Sequence, residues 1–135
     1  MIQVACALII HDGKVLLAQN GSNSDHHLQW EFPGGKIKPD ETEEQCIRRE
    51  IREELELEIE IVDSLKAVVH DYNIKKIRLI PFICKLNGGN LKLNDHINAE
   101  WVELNDLFEY DLSEADKKLI EIHRNQKILK KYIWK

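Results

Sequence analysis

Apolar runs separated by short polar segments divide the first third of the chain into strands. Residues 4–10 are almost continuously apolar, which is typical of a strand buried on both faces. The Asp-Gly pair at 12–13 predicts a tight turn that returns residues 15–18 as the second strand of a hairpin. Polar residues 20–29 predict a surface loop, and residues 30–32 predict another short strand.

A double glycine and a change to helical spacing follow. Gly34 and Gly35 predict a loop with unusual backbone torsions. Thr42 and a glutamine three residues later form a capping box, which predicts a helix that begins after Thr42. Apolar residues at 47, 51 and 55 recur every four positions and predict one buried stripe.

The second half alternates again. Residues 57–69 and 77–86 predict strands, and Pro81 indicates that the second is an edge strand or contains a bulge. Residues 87–90 predict a turn, 99–102 a short strand, and 105–108 a helical turn.

Helices are expected at the end of the chain. Ser113 predicts the N-cap of a helix that runs to about His123. The basic segment 127–135 predicts an amphipathic helix packed on the body or on a partner. We favour packing on the body, because a free tail would expose Trp134. Strands flanking a central helix, with further helices near the end, predict an α/β fold with a mixed sheet in one domain, residues 1–135.

Composition excludes several classes of function. A net charge of −5 argues against binding to a nucleic-acid polymer, which requires a basic surface. The three cysteines, Cys6, Cys46 and Cys84, are far apart and match no zinc pattern, which indicates free thiols in a reducing compartment. With neither a signal peptide nor an apolar run of membrane-spanning length, we expect a cytoplasmic protein without a membrane partner.

The predicted central helix carries an unusual acidic face. Glu50, Glu53 and Glu54 lie within an arc of about 100° beside the apolar stripe. They also occupy the C-terminal half, where the helix dipole disfavours anions. One interpretation is a solvated acidic face with ion pairs to neighbouring arginines, and the other is an oxygen-rich site for Mg²⁺ or Mn²⁺.

The residues around this face favour the metal site. They fit the pattern G-x5-E-x7-R-E-U-x-E-E-x-G-U, where U is apolar, and the stretch resembles the Nudix box of hydrolases that act on nucleoside diphosphate derivatives. One position departs from the pattern, because Glu56 replaces the glycine that would cap the helix. The matching residues are Gly35, Glu41, Arg49, Glu50, Ile51, Glu53, Glu54 and Leu57.

The resemblance implies an α/β/α sandwich and roles for individual residues. Glu50, Glu53 and Glu54 would bind Mg²⁺ or Mn²⁺, with the carbonyl of Gly34 as a further ligand. One of these glutamates, or Asp95 on a later loop, would take the proton from water; a simple turn aspartate is the alternative for Asp95. Residues assigned a structural role in the box are Gly35, Glu41 and Arg49.

Residues 30–37 are similar to the opening of MutT-type nucleoside triphosphate pyrophosphohydrolases, which release a nucleoside monophosphate and pyrophosphate. The similarity extends in outline over about residues 3–123. It implies that Lys36 contacts phosphate, that Glu31 lies near the base or a phosphate, and that Asp116 reads the base edge. The alternatives are a solvated loop lysine and an aspartate that satisfies a helix N-terminus. His26, His27 and His96 are expected to be surface residues.

The resemblance implies a Mg²⁺-dependent enzyme, monomeric or homodimeric, that sanitises the nucleotide pool by hydrolysing damaged nucleoside triphosphates such as 8-oxo-dGTP. Gln19 and Asn20 stand where such relatives often have an arginine, which weakens the transfer of that phosphate contact. The alternatives are a pyrophosphohydrolase for CTP or modified cytidine triphosphates, and a hydrolase of another nucleoside diphosphate derivative. A catalytically silent binding module would require missing carboxylates, and none is missing.

Overall fold

A computed structural model of the protein describes residues 1–133. It contains one mixed eight-stranded sheet with helices on both faces. The elements are β1 (Ile2–His11), β2 (Lys14–Gln19), β3 (Trp30–Glu31), β4 (Gly34–Lys36), α1 (Glu43–Leu55), β5 (Leu57–Ser64), β6 (Val68–Asp71), β7 (Lys76–Gly89), β8 (Asn98–Val102), a 3-10 helix (Leu104–Glu109), α2 (Glu114–Glu121) and α3 (His123–Ile133).

Strand β1 lies at the centre of the sheet. It pairs antiparallel with β2 across a turn in which Asp12 and Gly13 have φ angles of +51° and +75°, so the predicted hairpin is confirmed. It also pairs parallel with β7 along its length and antiparallel with β4 at its first half. Residues 5–9 of β1 are buried on both faces, as their continuous apolar character predicts.

Helices cover the two faces of this sheet. The predicted stripe on α1, Ile47, Ile51 and Leu55, is fully buried against one face. On the other face, Leu119 of α2 and Leu129 of α3 join the second apolar cluster. The α/β/α sandwich with a mixed sheet is therefore confirmed. No helix among the described residues is both long and apolar enough to cross a bilayer.

Of the two alternatives predicted from Pro81, the edge strand is wrong, because β7 lies inside the sheet between β1 and the pair formed by β5 and β6. An irregularity is present, since the pairing of β7 with β5 contains two register shifts. β5 ends at Ser64 and β6 begins at Val68, so the single strand predicted for residues 57–69 is interrupted beside the proline. Leu65 N–H donates to the Pro81 carbonyl (3.0 Å) at this gap. The missing N–H of Pro81 therefore faces a break in its partner.

The structure places both double-glycine segments, 34–35 and 88–89, in strands, whereas the sequence predicted a loop and a turn. Gly34 and Gly35 belong to β4 and not to a loop, and neither adopts a positive φ angle. Their small size is what the structure requires, because β4 packs tightly between β1 and α1. The turn predicted at 87–90 is wrong as well: β7 continues to Gly89, where φ angles of +134° for Gly88 and +91° for Gly89 need glycine.

The C-terminal helices pack on the body of the protein. The helix predicted from Ser113 to about His123 ends at Glu121, and α3 follows with Leu129 and Ile133 buried. Ser113 occupies the N-cap position, but its hydroxyl makes no capping hydrogen bond. The packing predicted for residues 127–135 is thus seen for the part up to Ile133, whereas Trp134 lies outside the described residues.

Helix α1 has the predicted capping box at Thr42 but ends in a strained residue. Glu56, at the position where the resemblance places glycine, has φ +57° and ψ +35°, and its N–H donates to the Arg52 carbonyl. A left-handed conformation costs a residue with a Cβ about 1 kcal/mol or more. The Glu56 carboxylate recovers part of this cost through a 3.1 Å hydrogen bond from Asn94 Nδ2.

Replacing Glu56 by glycine is expected to raise the free energy of unfolding by about 1 kcal/mol, because the left-handed strain disappears. Chemical denaturation measured beside Glu56→Ala isolates this effect, since alanine removes the carboxylate but keeps the strain. The alanine variant should be slightly less stable than the wild type. A glycine variant no more stable than the alanine variant would show that the backbone at this position is not strained.

Candidate active site

Arg49 organises the loop that precedes α1 and the acidic face of the helix. Its guanidinium pairs with both oxygens of Glu41, at 2.6 Å from Nη2 and 2.9 Å from Nε. Its Nη1 lies between two further carboxylates, 2.8 Å from Glu50 and 3.2 Å from Glu53. The hydrogen bond from Arg49, together with one from the Lys38 amide, lowers the pKa of Glu41 to about 2. Arg49 therefore joins Glu41 of the preceding loop to the acidic face of α1, and the structural roles of both residues stay predictions.

The ion pair between Glu41 and Arg49 makes an acid-sensitive contribution to stability. Because the Glu41 pKa is lowered, its contribution is complete above the ordinary value near 4.5 and is lost as the pH falls towards 2. We expect Glu41→Gln to lower the melting temperature at pH 7, and the difference from the wild type to shrink between pH 4.5 and 2. Melting curves of both proteins across this pH range test the prediction. A difference in melting temperature that does not change with pH would contradict the lowered pKa of Glu41.

Glu54 is the most buried of the three helix carboxylates. Glu54 as a whole is only 5% exposed to solvent. The pKa of Glu54 is raised to about 10, first by burial, then by the negative charges of Glu31, Glu50 and Asp95 and by a hydrogen bond shared with Glu50. Glu53, in contrast, has a side chain that is 56% exposed. The helix therefore directs Glu54 and Glu50 inward and leaves Glu53 at the surface.

A cleft of about 560 Å³ lies over Glu54. The resemblance predicted roles for four of its lining residues, Glu31, Gly34, Glu54 and Asp95, and the structure brings them together. They come from β3, β4, α1 and the connection between β7 and β8. The remaining lining residues are Asn20, Gly21, Ser22, Asn23, Ser24, His96 and Ile97.

The connection before β8 caps the end of α1 and thereby places Asp95. The last carbonyls of a helix lack partners within it. Here Lys92 N–H donates to the Leu55 carbonyl (3.0 Å) and Asn94 N–H to the Glu54 carbonyl (3.0 Å). Asn94 Nδ2 donates to the Glu53 carbonyl (2.8 Å). Asn94 was not identified from the sequence, because nothing local distinguishes it from an ordinary loop asparagine.

Glu31 is held on both sides. Its Oε1 accepts a hydrogen bond from Asn20 Nδ2 at 3.0 Å, and its Oε2 lies 3.0 Å from His96 Nε2. His96 is 8% exposed, so the expectation of a surface histidine is wrong. The contact between Glu31 and His96 joins residues 65 positions apart and leaves no local signal in the sequence.

Two residues predicted to contact substrate are not among those that line the cleft. Asp116 is buried behind β3, where its Oδ2 accepts the Phe32 N–H at 2.8 Å; burial first, and then the charge of Glu31, raise its pKa. Lys36 is exposed, and its carbonyl accepts a 3.3 Å hydrogen bond from Arg49. Their contacts with substrate stay predictions.

His26 and His27 are not among the residues that line the cleft. His26 packs edge-on against Tyr72, with ring centroids 4.8 Å apart, and is only partly exposed. His27 is exposed, and its Nδ1 lies 2.8 Å from the Ser22 carbonyl. Asp25 of the same loop pairs with Lys75 at 3.3 Å. Segment 25–29 is thus anchored on the hairpin between β6 and β7, whereas segment 20–24 forms the wall of the cleft.

The donor set fits a divalent cation in an open site. Within residues 1–133, no three His, Cys, Asp or Glu side chains are arranged so that they could hold a metal ion by themselves. Mg²⁺ does not require one, because it retains several waters and shares phosphate oxygens with its substrate. The charged neighbours that act most strongly on the buried Glu54 are negative, and a bound cation would neutralise this repulsion.

Comparison with known proteins places this geometry among relatives. Residues 1–122 match the family described as NUDIX domain. A protein of Escherichia coli (strain K12) named CTP pyrophosphohydrolase is 36% identical over 121 residues, which cover 90% of each chain. Nucleoside triphosphatase NudI of Escherichia coli O81 (strain ED1a) is 30% identical over 132 residues, covering 88% of this chain and 94% of the relative.

Two solved structures have a fold similar to that of this chain. The solution structure of the E. coli ORF135 protein superposes with a TM-score of 0.80 at 35% identity, covering 90% of this chain and 86% of that one. The crystal structure of a MutT protein from Methanosarcina mazei Go1 gives a TM-score of 0.83 at 28% identity, covering 94% of each chain.

Proposed function

The chain belongs to the Nudix hydrolase family, and on that premise we propose that it is a Mg²⁺-dependent enzyme that hydrolyses nucleoside triphosphates to nucleoside monophosphate and pyrophosphate. The observation that carries this proposal is the gathering of Glu54, Asp95 and Gly34 in one cleft, with Glu50 in contact with Glu54. Hard oxygen donors of this kind match the preference of Mg²⁺ and Mn²⁺.

The proposal gives each carboxylate a distinct task. Glu50, Glu54 and the Gly34 carbonyl would hold the cations, with Glu53 as an outer ligand that first has to leave Arg49. When bound, the cations would polarise the phosphoanhydride. Asp95 is exposed and lines the cleft, so its carboxylate is free to accept a proton from the attacking water. The water oxygen forms a bond to one of the two phosphorus atoms that flank the bridging oxygen, the P–O bond between the α and β phosphates breaks, and nucleoside monophosphate and pyrophosphate leave.

The charge of the cleft supports a strict requirement for metal. Within residues 1–133, the side chains that line it include no lysine or arginine. A triphosphate entering beside Glu31, Glu54 and Asp95 would therefore meet negative charge, and divalent cations would be its principal counterions. Neutral donors are available along the wall from Asn20, Ser22, Asn23 and Ser24.

We propose CTP and modified cytidine triphosphates as the preferred substrates. The support is the 36% identity with a protein named CTP pyrophosphohydrolase, together with the missing arginine at Gln19 and Asn20. Oxidised purine nucleotides such as 8-oxo-dGTP are the second candidate, favoured by the structural likeness to a MutT protein. We also propose a cytoplasmic location, since Cys6, Cys46 and Cys84 are buried and unpaired.

A nucleotide panel tests the proposal. Release of pyrophosphate and of phosphate would be measured separately for canonical, oxidised and methylated nucleoside triphosphates and for nucleotide sugars, with Mg²⁺, Mn²⁺ or a chelator. We expect pyrophosphate as the product, the largest kcat/KM for a cytidine triphosphate, and no turnover with the chelator. Activity without a divalent cation, or activity confined to nucleoside diphosphate derivatives, would overturn it.

A further inference from the structure

One carboxylate ties three separate walls of the cleft together. Glu31 lies on β3, Asn20 follows β2, and His96 precedes β8. The two hydrogen bonds to Glu31, each 3.0 Å long, occupy one position on each of its oxygens. We propose that His96 is a positioning residue that holds Glu31 in place and, through the connection before β8, also holds the neighbouring Asp95. This inference rests on the proposed function.

The burial of His96 indicates that its contact with Glu31 is specific. Its side chain is 4% exposed, and among the described residues its Nδ1 is buried without a hydrogen-bond partner. Leaving a buried polar atom without a hydrogen-bond partner is energetically unfavourable. A carboxylate accepts hydrogen bonds but does not donate them, so Nε2 carries the proton that faces Glu31.

Asp95 lies between two anchored neighbours. On one side, Asn94 is fixed to the carbonyls of Glu53 and Glu54 at the end of α1. On the other side, His96 is fixed to Glu31. Asp95 itself is exposed in the cleft, and with no other constraint its backbone would be as mobile as an ordinary loop. The two anchors therefore restrict where the Asp95 carboxylate can lie relative to Glu54.

The same contacts explain how Glu31 remains close to other carboxylates. Burial raises the pKa of both Glu54 and Asp116, and the negative charge of Glu31 raises each of them further. Repulsion alone would drive the Glu31 side chain outward. The donors from Asn20 and His96 offset that repulsion, because hydrogen bonds to a charged group are stronger than those between neutral groups.

Two substitutions at position 96 separate positioning from packing. In His96→Gln, the side-chain amide can restore a donor to Glu31, whereas His96→Leu fills a similar volume without a donor. We expect kcat to fall at least 20-fold in His96→Leu and less than fivefold in His96→Gln, with KM changed less than kcat in both. The matched controls, His123→Gln and His123→Leu at the exposed start of α3, should keep wild-type kinetics.

Asn20→Leu provides a second variant if His96→Leu does not fold, because Asn20 is only partly buried. It removes the other donor to Glu31 and should lower kcat in the same direction. Equal losses in His96→Gln and His96→Leu, or wild-type kcat in His96→Leu or in Asn20→Leu, would overturn the positioning role.

A spectroscopic measurement tests the contact without relying on turnover. Long-range ¹H–¹⁵N spectra of the metal-free protein should show His96 with a proton on Nε2 that exchanges slowly with water. Glu31→Gln should shift that Nε2 proton upfield. A tautomer protonated at Nδ1, or a rapidly exchanging Nε2 proton, would refute the contact. A wild type that hydrolyses no nucleotide would refute the proposed function while leaving this test intact.

Discussion

Replacing Glu54 by glutamine is expected to lower kcat at least about 10³-fold with Mg²⁺, the largest loss for any single carboxylate of the site. Glu54 is the most buried of these groups, and Glu31, Glu50 and Asp95 all act on its charge. Glutamine keeps the shape but supplies one neutral oxygen, so the cleft loses the charge that would attract a cation.

Stability should change in the opposite direction. The raised pKa of Glu54 means that the folded metal-free protein loses stability as the pH rises from the ordinary value near 4.5 towards about 10. Glu54→Gln should therefore unfold at the same or a higher temperature than the wild type at pH 8 without metal. A loss of activity that is accompanied by unfolding would contradict this explanation.

Substitutions of two other glutamates serve as comparisons for Glu54→Gln. Glu53→Gln should lower kcat less than Glu54→Gln does, because the Glu53 side chain is 56% exposed and pairs with Arg49. Glu58→Gln, on β5 and paired with Arg52 outside the cleft, should leave turnover unchanged. Steady-state kinetics with the best nucleotide of the panel measures all three. Full turnover in Glu54→Gln would remove the basis of the proposed function.

Gly34→Ala is expected to cause the largest loss of stability of any single methyl group added to the protein, about 3 kcal/mol or more. A Cβ at Gly34 would overlap the Ala5 carbonyl oxygen and lie 2.7 Å from the Cα of Cys6. Both are backbone atoms of the central strand β1, which pairs with β4 at this point and cannot move aside.

Gly35→Ala is the matched comparison. There a Cβ would meet the carboxylate of Glu50, 2.5 and 2.6 Å from its two oxygens. A side chain can rotate away, so this variant should fold with a smaller loss of stability but displace Glu50 and lower kcat. Denaturant unfolding and kinetics of both variants measure the contrast. Equal stability losses would show that β4 is not packed as described.

Features that depend on neighbouring residues could be predicted from the sequence. The Asp-Gly turn, the capping box at Thr42 and the apolar stripe of α1 are set by torsional preferences and by contacts within a few positions. The same local geometry put Glu50, Glu53 and Glu54 on one helical face. The order of strands and helices predicted the α/β fold with a mixed sheet. The resemblance to the Nudix box then supplied the candidate cleft residues Gly34 and Asp95, which helical spacing alone could not have identified.

Only the tertiary structure decided which of these residues meet and how they are held. Pro81 is tolerated inside the sheet because its partner strand is interrupted there, and β4 forms because β1 offers it an edge. Residues that are distant in the chain meet in the hydrogen bonds from Asn20 and His96 to Glu31 and in the capping of α1 by Asn94. Such contacts carry no periodic signal, since they arise only when packing of the sheet brings separate loops to one cleft.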